Sequence, residues 1–152
     1  MDKKNIGDNL LVERMSLKDL EEIKNILITE FDDFWNENIL KSELENENSR
    51  FFVLRENNEI IGFGGFLITP DDAQITNIVI KKSKRNSGYG NFLFEFILEE
   101  AKKNSTNNEI SLEVNEKNTY AIKLYENNGF EKIATRKKYY NGKFDAIIMR
   151  KM

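Results

Sequence analysis

Apolar positions recur along this chain with two periods, and the switches between them lay out the elements. Residues 9–15, NLLVERM, read as a short strand. Ser16, with Asp19 three residues on, then gives a capping-box start to an amphipathic helix, LKDLEEIKNILI, with Leu17, Leu20, Ile23, Ile26 and Leu27 along its apolar face. The following stretch, EFDDFWNENILKSELENENS, crowds Phe31, Phe34 and Trp35 together and resumes helical spacing at Ile39, Leu40 and Leu44. That pattern predicts a loop followed by a second helix.

Residues 51–68 predict a hairpin, because FFVLRE and EIIGFGGFLI are β-rich and Asn57 and Asn58 between them tolerate positive φ. ITNIVIKK, residues 75–82, is a further β-rich run that passes through SKRNSGYG into the apolar-rich helix NFLFEFILEEAKK. EISLEV, residues 109–114, is another strand; Asn118 caps a helix TYAIKLYEN, and Gly129 stands where a left-handed residue ends such a helix. FEKIATRKKYY and KFDAIIMRK predict two closing strands about a type I′ turn at Asn141 and Gly142. The predicted order is β-α-α-β-β-β-α-β-α-β-β, with Pro70 in a turn between two strands and no internal repeat or interdomain linker.

A chain of 152 residues suits one domain spanning 1–152. With 39% hydrophobic and 32% charged residues, 11 Phe and 5 Tyr, it carries enough apolar volume to fold. Its apolar runs fall well short of the ~18 residues a membrane span requires, and its first 15 residues do not read as a secretory signal, so the cytoplasm is the expected location. Cys and His are both absent, which removes disulfides, thiolate nucleophiles, the usual zinc sites and any imidazole base. Proton transfer then falls to Asp, Glu, Tyr or Lys. A net charge of −3 argues against broad nucleic-acid binding and favours a cationic partner.

Gly88 and Gly90 lie where a strand gives way to a helix. A helix start offers unpaired N–H groups and partial positive charge, and glycine lets a ligand approach the backbone closely. Arg85, with Lys81, Lys82 and Lys84, adds cationic character, so the segment suits a pyrophosphate. It lacks the Lys-Ser/Thr ending of a Walker loop, and the third glycine and early position of a dinucleotide fingerprint. Two glycines alone are equally compatible with a tight turn before a surface helix.

The run Arg85-Asn86-Ser87-Gly88-Tyr89-Gly90 meets the signature Gln/Arg-x-x-Gly-x-Gly/Ala, and with it the chain resembles the GNAT superfamily of acetyl-CoA-dependent N-acetyltransferases. Residues 31–44, NIVI at 77–80, LEVNEKNTYAIKLYENNGF at 112–130, and RKKYY with DAIIM in 136–149 make it similar, more narrowly, to the RimI-type branch. Members of that branch acetylate the amino-terminal alanine of a small-subunit ribosomal protein. The resemblance implies an α/β (α+β) GNAT fold, a mixed, mostly antiparallel seven-stranded sheet flanked by four helices. Asn86 and Ser87 replace a commonly basic part of the loop, which throws phosphate binding onto backbone donors and Arg85.

Acetyl transfer needs a neutral amine, a polarised thioester carbonyl and a proton for the departing thiolate. A free α-amine, with a pKa of about 7.7–8.0, requires only a weak base. The resemblance implies Glu113 as general base, acting through water, and Tyr125 as proton donor to the sulfur. It implies that Ile78, Val79 and Ile80 hold the acetyl end of acetyl-CoA, that Arg85, Asn86, Ser87, Gly88, Tyr89, Gly90 and Asn91 take the pyrophosphate, and that Asn118 contacts the CoA arm. Phe31, Trp35, Tyr139 and Tyr140 are candidates for lining the acceptor groove, with packing at the core edge as the alternative. Glu116, Glu126 and Glu131 read as solvated charges. Direct attack in a ternary complex, with no metal, is the expected route. The partners expected are a protein amino terminus, a ribosomal protein's for instance, or a small amine, with no nucleic acid and no membrane. Two other functions fit the same motifs: acetylation of a polyamine or aminoglycoside, and non-catalytic acyl-CoA sensing.

Overall fold

The computed structural model describes residues 3–6, 9–31, 36–140 and 142–151. In chain order the elements are β1 (Lys3–Ile6), β2 (Leu10–Arg14), α1 (Leu17–Ile23), a π-helical turn (Leu27–Phe31), α2 (Glu37–Glu45), β3 (Ser49–Glu56) and β4 (Glu59–Ile68). Then follow β5 (Ala73–Ile80), a 3-10 turn (Lys82–Lys84), α3 (Tyr89–Lys103), β6 (Ile110–Asn115), α4 (Thr119–Asn127), β7 (Glu131–Tyr140) and β8 (Phe144–Lys151). One sheet, ordered β1-β2-β3-β4-β5-β6-β8-β7, carries them. β5 and β6 run parallel; the other neighbours are antiparallel.

The expected strands and helices are present in the expected order, on a mixed, mostly antiparallel sheet. An eighth strand, β1, adds an edge next to β2. Its sequence, KKNI, has one apolar residue and hence no alternation to read. The first helix also differs. Its capping box forms as Ser16 N–H donates to Asp19 Oδ2 at 2.8 Å and Asp19 N–H to Ser16 Oγ at 3.3 Å. The helix nevertheless stops at Ile23, and the chain rewinds as the π turn, so that Leu27 and Phe31 reach the core while Leu17 stays outside at 44% exposure.

The sheet is buried on both faces, which explains the unbroken apolar runs of β3 and β4. Phe52, Leu54, Ile61 and Phe66 face a core completed by α3, α4, β6 and Phe130, whereas Phe51, Val53, Ile60 and Phe63 face one completed by α1, the π turn and α2. Asn57 and Asn58 turn the β3–β4 hairpin with φ of 51° and 70°, the conformation expected of that pair. Arg55 of β3 ties α1 to the sheet through Asp19 at 2.6 Å and Glu22 at 3.3 Å, and also pairs with Glu13 of β2 at 3.4 Å.

Candidate active site

Parallel strands β5 and β6 pair only over Ala73–Ile110, Gln74–Ser111 and Ile75–Leu112. Beyond Ile75 they diverge: β5 continues beside β4 towards Ile80, while β6 continues beside β8. A bulge accompanies the divergence, because Gly65 faces Asn77 and Phe66 faces Ile75, leaving Thr76 as an extra residue in β5. The open edge of β5 therefore presents backbone groups to a cleft rather than to a neighbouring strand. Thr76 Oγ1 and Asn77 Nδ2, at the same bulge, are buried and without a hydrogen-bond partner among the described residues. Such orphaned atoms suit a ligand able to pair with them.

Two cavities adjoin this cleft. One of about 190 Å³ is lined by Ile78, Val79, Ile80, Arg85, Lys117, Asn118 and Tyr120. The other, about 540 Å³, lies at the crotch of the splay, where Thr76, Leu112, Glu113, Arg136, Tyr139 and Ile148 are among its walls. Of the expected cofactor residues, Ile78, Val79, Ile80, Arg85 and Asn118 line the smaller cavity and residues 86–91 line neither, while Glu113 and Tyr139 line the larger.

The turn into α3 has the backbone its residue types favour. Asn86 and Gly88 both take positive φ, 63° and 85°, and a side chain on Gly88 would meet open space. Asn86 is thus accounted for as a residue that tolerates the left-handed region, not as a failed cation. The first N–H groups of α3, like those of any α-helix, have no acceptor within the helix, and Gly88 supplies no side-chain cap. Gly90 is demanded by close approach: a Cβ there would lie 2.2 Å from Tyr120 Oη.

The basic residues around this turn are mostly committed to bracing it. Arg85 Nε donates to Ile80 O at 2.9 Å, its Nη2 donates to Phe31 O at 2.8 Å, and its guanidinium stands 5.7 Å from the Tyr120 ring centre. Lys84 pairs with Glu56 at 2.7 Å, and the Tyr89 hydroxyl donates to the same carboxylate. Lys84 and then Tyr89 hold Glu56 below the ordinary carboxylate value, and Glu56 raises both of theirs. Lys81 pairs with Glu59 and Glu30, which raise its pKa against partial burial. Ser87 and Lys82 remain exposed. Asn91 joins α3 to α4 by accepting from Asn128 at 2.9 Å and donates to Glu95 at 3.0 Å. Burial raises the Tyr120 pKa, opposed by the charge of Arg85, so its hydroxyl keeps its proton at neutral pH.

Asn118 caps α4, its side-chain oxygen accepting from Ala121 N–H at 3.1 Å. Tyr125 lies on the buried face of that helix with its ring 5.2 Å from Phe94 and 6.0 Å from Phe130; it lines neither cavity. Glu113 faces out of the sheet and pairs with Arg136 Nη2 at 3.0 Å, while the Arg136 guanidinium stands 4.8 Å from the centre of the Tyr139 ring. The Phe31 ring is wholly buried, 5.6 Å from Phe63. Trp35 and the Tyr140 side chain lie outside the described residues. Among the described residues no cluster of three or more His, Cys, Asp or Glu is placed to hold a metal.

Sequence reasoning missed Tyr120, Arg136, Thr76 and Asn77 as members of the site. Arg136 carried a signal, since it opens the RKKYY run that includes Tyr139. Tyr120 carried none, because its contact with Gly90 joins helices 30 positions apart.

A splayed parallel pair, a glycine turn opening the helix after the first of those strands, and a carboxylate at the mouth together define an acyl-CoA-dependent acetyltransferase architecture. The profile of the acetyltransferase (GNAT) family matches residues 20–130, and the chain belongs to that family. It is 36% identical over 141 residues to a Bacillus subtilis (strain 168) protein named as a candidate ribosomal protein bS18-alanine N-acetyltransferase, covering 91% of this chain and 92% of that one. It is 32% identical over 120 residues to the Escherichia coli (strain K12) ribosomal protein bS18-alanine N-acetyltransferase, covering 76% and 78%. The crystal structure of the ribosomal-protein-S18-alanine N-acetyltransferase from Escherichia coli matches with a TM-score of 0.80 at 29% identity, covering 93% of this chain and 92% of that one. Ard1 from Thermoplasma volcanium, at 22% identity, matches the fold with a TM-score of 0.81 over 95% and 97%. The protein is an N-acetyltransferase with the GNAT fold, in a family that uses acetyl-CoA as cosubstrate.

Proposed function

We propose that this enzyme carries the acetyl group of acetyl-CoA to the α-amine of a protein amino terminus, the alanine of ribosomal protein bS18 being the acceptor its relatives suggest. The observation that carries this reading is the cleft between β5 and β6, with the glycine turn beside one cavity and Glu113 in the wall of the other. Residues 86–91 would take the pyrophosphate on backbone N–H groups, with Arg85 holding the turn in shape. Residues 78–80 would receive the pantetheine arm and acetyl carbonyl along the unpaired edge of β5, beside Asn118. The open space beside Gly88 leaves the turn accessible to a ligand at that position.

The thioester supplies an activated carbonyl. The amine nitrogen forms a bond to that carbon, the carbon–sulfur bond breaks, the amine's proton leaves through water to Glu113, and Tyr125 supplies a proton to the sulfur. Arg136 already occupies Glu113, so an incoming ammonium exchanges with a guanidinium at this carboxylate. Tyr139, half exposed beside Arg136, is placed to contact the residues that follow the amine. Among the described residues no helix is long and apolar enough to cross a membrane.

The test is incubation with acetyl-CoA and peptides beginning Ala-Arg, with mass spectrometry locating the acetyl group on the α-amine. Silence with every peptide, together with turnover of a polyamine or aminoglycoside, would replace the acceptor. Glu113→Gln and Tyr125→Phe should each cut turnover by about 100-fold or more while acetyl-CoA binding stays near parental. Parental turnover in either variant would remove that residue's role.

A further inference from the structure

Strand β7 does not run straight past the acceptor cavity. Arg136 pairs with Ala146 and Tyr140 with Phe144, so Lys137, Lys138 and Tyr139 stand opposite the single residue Asp145. At the centre of this bulge Lys138 takes φ of 49°, a left-handed conformation that costs a residue with a Cβ. Asp145 Oδ1 accepts the Lys138 N–H at 2.8 Å, and Lys137 Nζ lies 3.5 Å from Oδ2. Asp145 is itself clamped from the end of β6: its N–H donates to Glu116 Oε2 at 2.6 Å, and Glu116 N–H donates to Asp145 O at 3.0 Å. The residues on either side of the clamp are those at the cavity mouth, Arg136 on Glu113 and Tyr139 over Arg136.

We propose that Asp145, braced by Glu116, is a positioning residue that holds the β7 bulge in the shape that carries Arg136 and Tyr139 to the Glu113 cavity, and thereby sets the affinity for the acceptor. This rests on the reading of that cavity as the acceptor site. Asp145 lines neither cavity. Its effect passes through Lys138, so it should act on acceptor KM and leave the cofactor groove alone.

Four variants separate this role from general support of an edge strand. Asp145→Ala should raise the KM for an Ala-Arg peptide about tenfold, the factor set by losing a hydrogen bond to a charged group, with acetyl-CoA binding unchanged. Lys138→Pro removes the same N–H and forbids positive φ without touching Asp145; β7 is an edge strand that can accept proline, and the KM should rise similarly. Asp145→Asn keeps an oxygen for the Lys138 N–H and should stay within about twofold of the parent. Adding Lys138→Gly to Asp145→Ala makes the left-handed conformation free of its Cβ penalty and should recover part of the lost affinity.

Parental KM in both Asp145→Ala and Lys138→Pro would overturn the proposal, as would equal loss of acetyl-CoA binding and acceptor affinity. Amide exchange at Lys138 gives a readout independent of the acceptor's identity: it should quicken in Asp145→Ala and stay slow in Asp145→Asn. Unchanged protection in Asp145→Ala refutes the latch even if the parent acetylates no peptide. Peptide silence in the parent with faster Lys138 exchange in Asp145→Ala overturns the acceptor reading and, with it, the assignment of acceptor affinity to the latch.

Discussion

The hydroxyl of Tyr120 occupies the space that Gly90 leaves by lacking a side chain. Alanine at position 90 suits the helix better than glycine by up to about 1 kcal/mol, but its Cβ would meet the Tyr120 hydroxyl at 2.2 Å, so displacement of Tyr120 offsets that gain in Gly90→Ala. It should push Tyr120 out of the first turn of α3 and disturb the Arg85 guanidinium over its ring. Calorimetry is expected to show acetyl-CoA affinity reduced about tenfold. Adding Tyr120→Phe removes the clashing oxygen and leaves the ring carbon at 3.4 Å, so part of the affinity should return. No recovery in the double variant would mean that the turn, and not Tyr120, senses the added methyl. The two glycines were legible in the sequence because a strand precedes them and an apolar helix follows. The reason for Gly90 was not, since the side chain it accommodates comes from α4.

Between elements, the brace that holds the glycine turn on the sheet is the carboxylate of Glu56 at the end of β3, gripped by Lys84 and Tyr89. Both partners favour its ionised form, so in the fold its pKa lies below the ordinary value of 4.5. The brace is therefore complete above that value and is lost only as pH falls through the lower, folded one. Glu56→Gln should weaken acetyl-CoA binding by about two- to fivefold, the scale of an exposed pair, at pH 7 and equally at pH 5.5. Parent and variant should converge only at more acidic pH, where the parent's carboxylate takes up its proton. A difference already shrinking between pH 7 and pH 5.5 would show that another group controls the turn. At this scale periodicity and capping residues had already fixed the element order, the Asn57–Asn58 hairpin, the Asn118 cap and the Gly129 helix stop. They could not mark the β7 bulge, because RKKYY holds no glycine, proline or asparagine to signal one and its distortion is imposed by Asp145 and Glu116, which read in sequence as one strand position and one solvated charge.

Across the whole molecule, the sheet divides two cores, and the proposed proton donor belongs to one of them. Phe94 is fully buried on α3, and its ring lies 5.2 Å from Tyr125 of α4 and 5.8 Å from Phe130 at the entry to β7. These three rings are where α3, which opens at the glycine turn, meets α4, which begins at Asn118. Removing one therefore loosens the registry of the two helices that flank the proposed cofactor groove, in addition to leaving a cavity. Phe94→Ala should lower stability by about 3–5 kcal/mol. Arg55→Ala, which breaks the polar tie of α1 on the opposite face, should cost about 1–3 kcal/mol. The two differ more sharply in function. Phe94→Ala, assayed well below its thermal midpoint, should lose turnover in excess of any unfolded fraction because Tyr125 is no longer held, whereas Arg55→Ala should keep the parent's turnover per folded molecule. Denaturant unfolding followed through the fluorescence of Trp35 and the tyrosines gives the first comparison, and thiol release at matched folded concentration gives the second. Equal turnover per folded molecule in both variants would sever the link between the aromatic trio and catalysis and leave Tyr125 as a core residue.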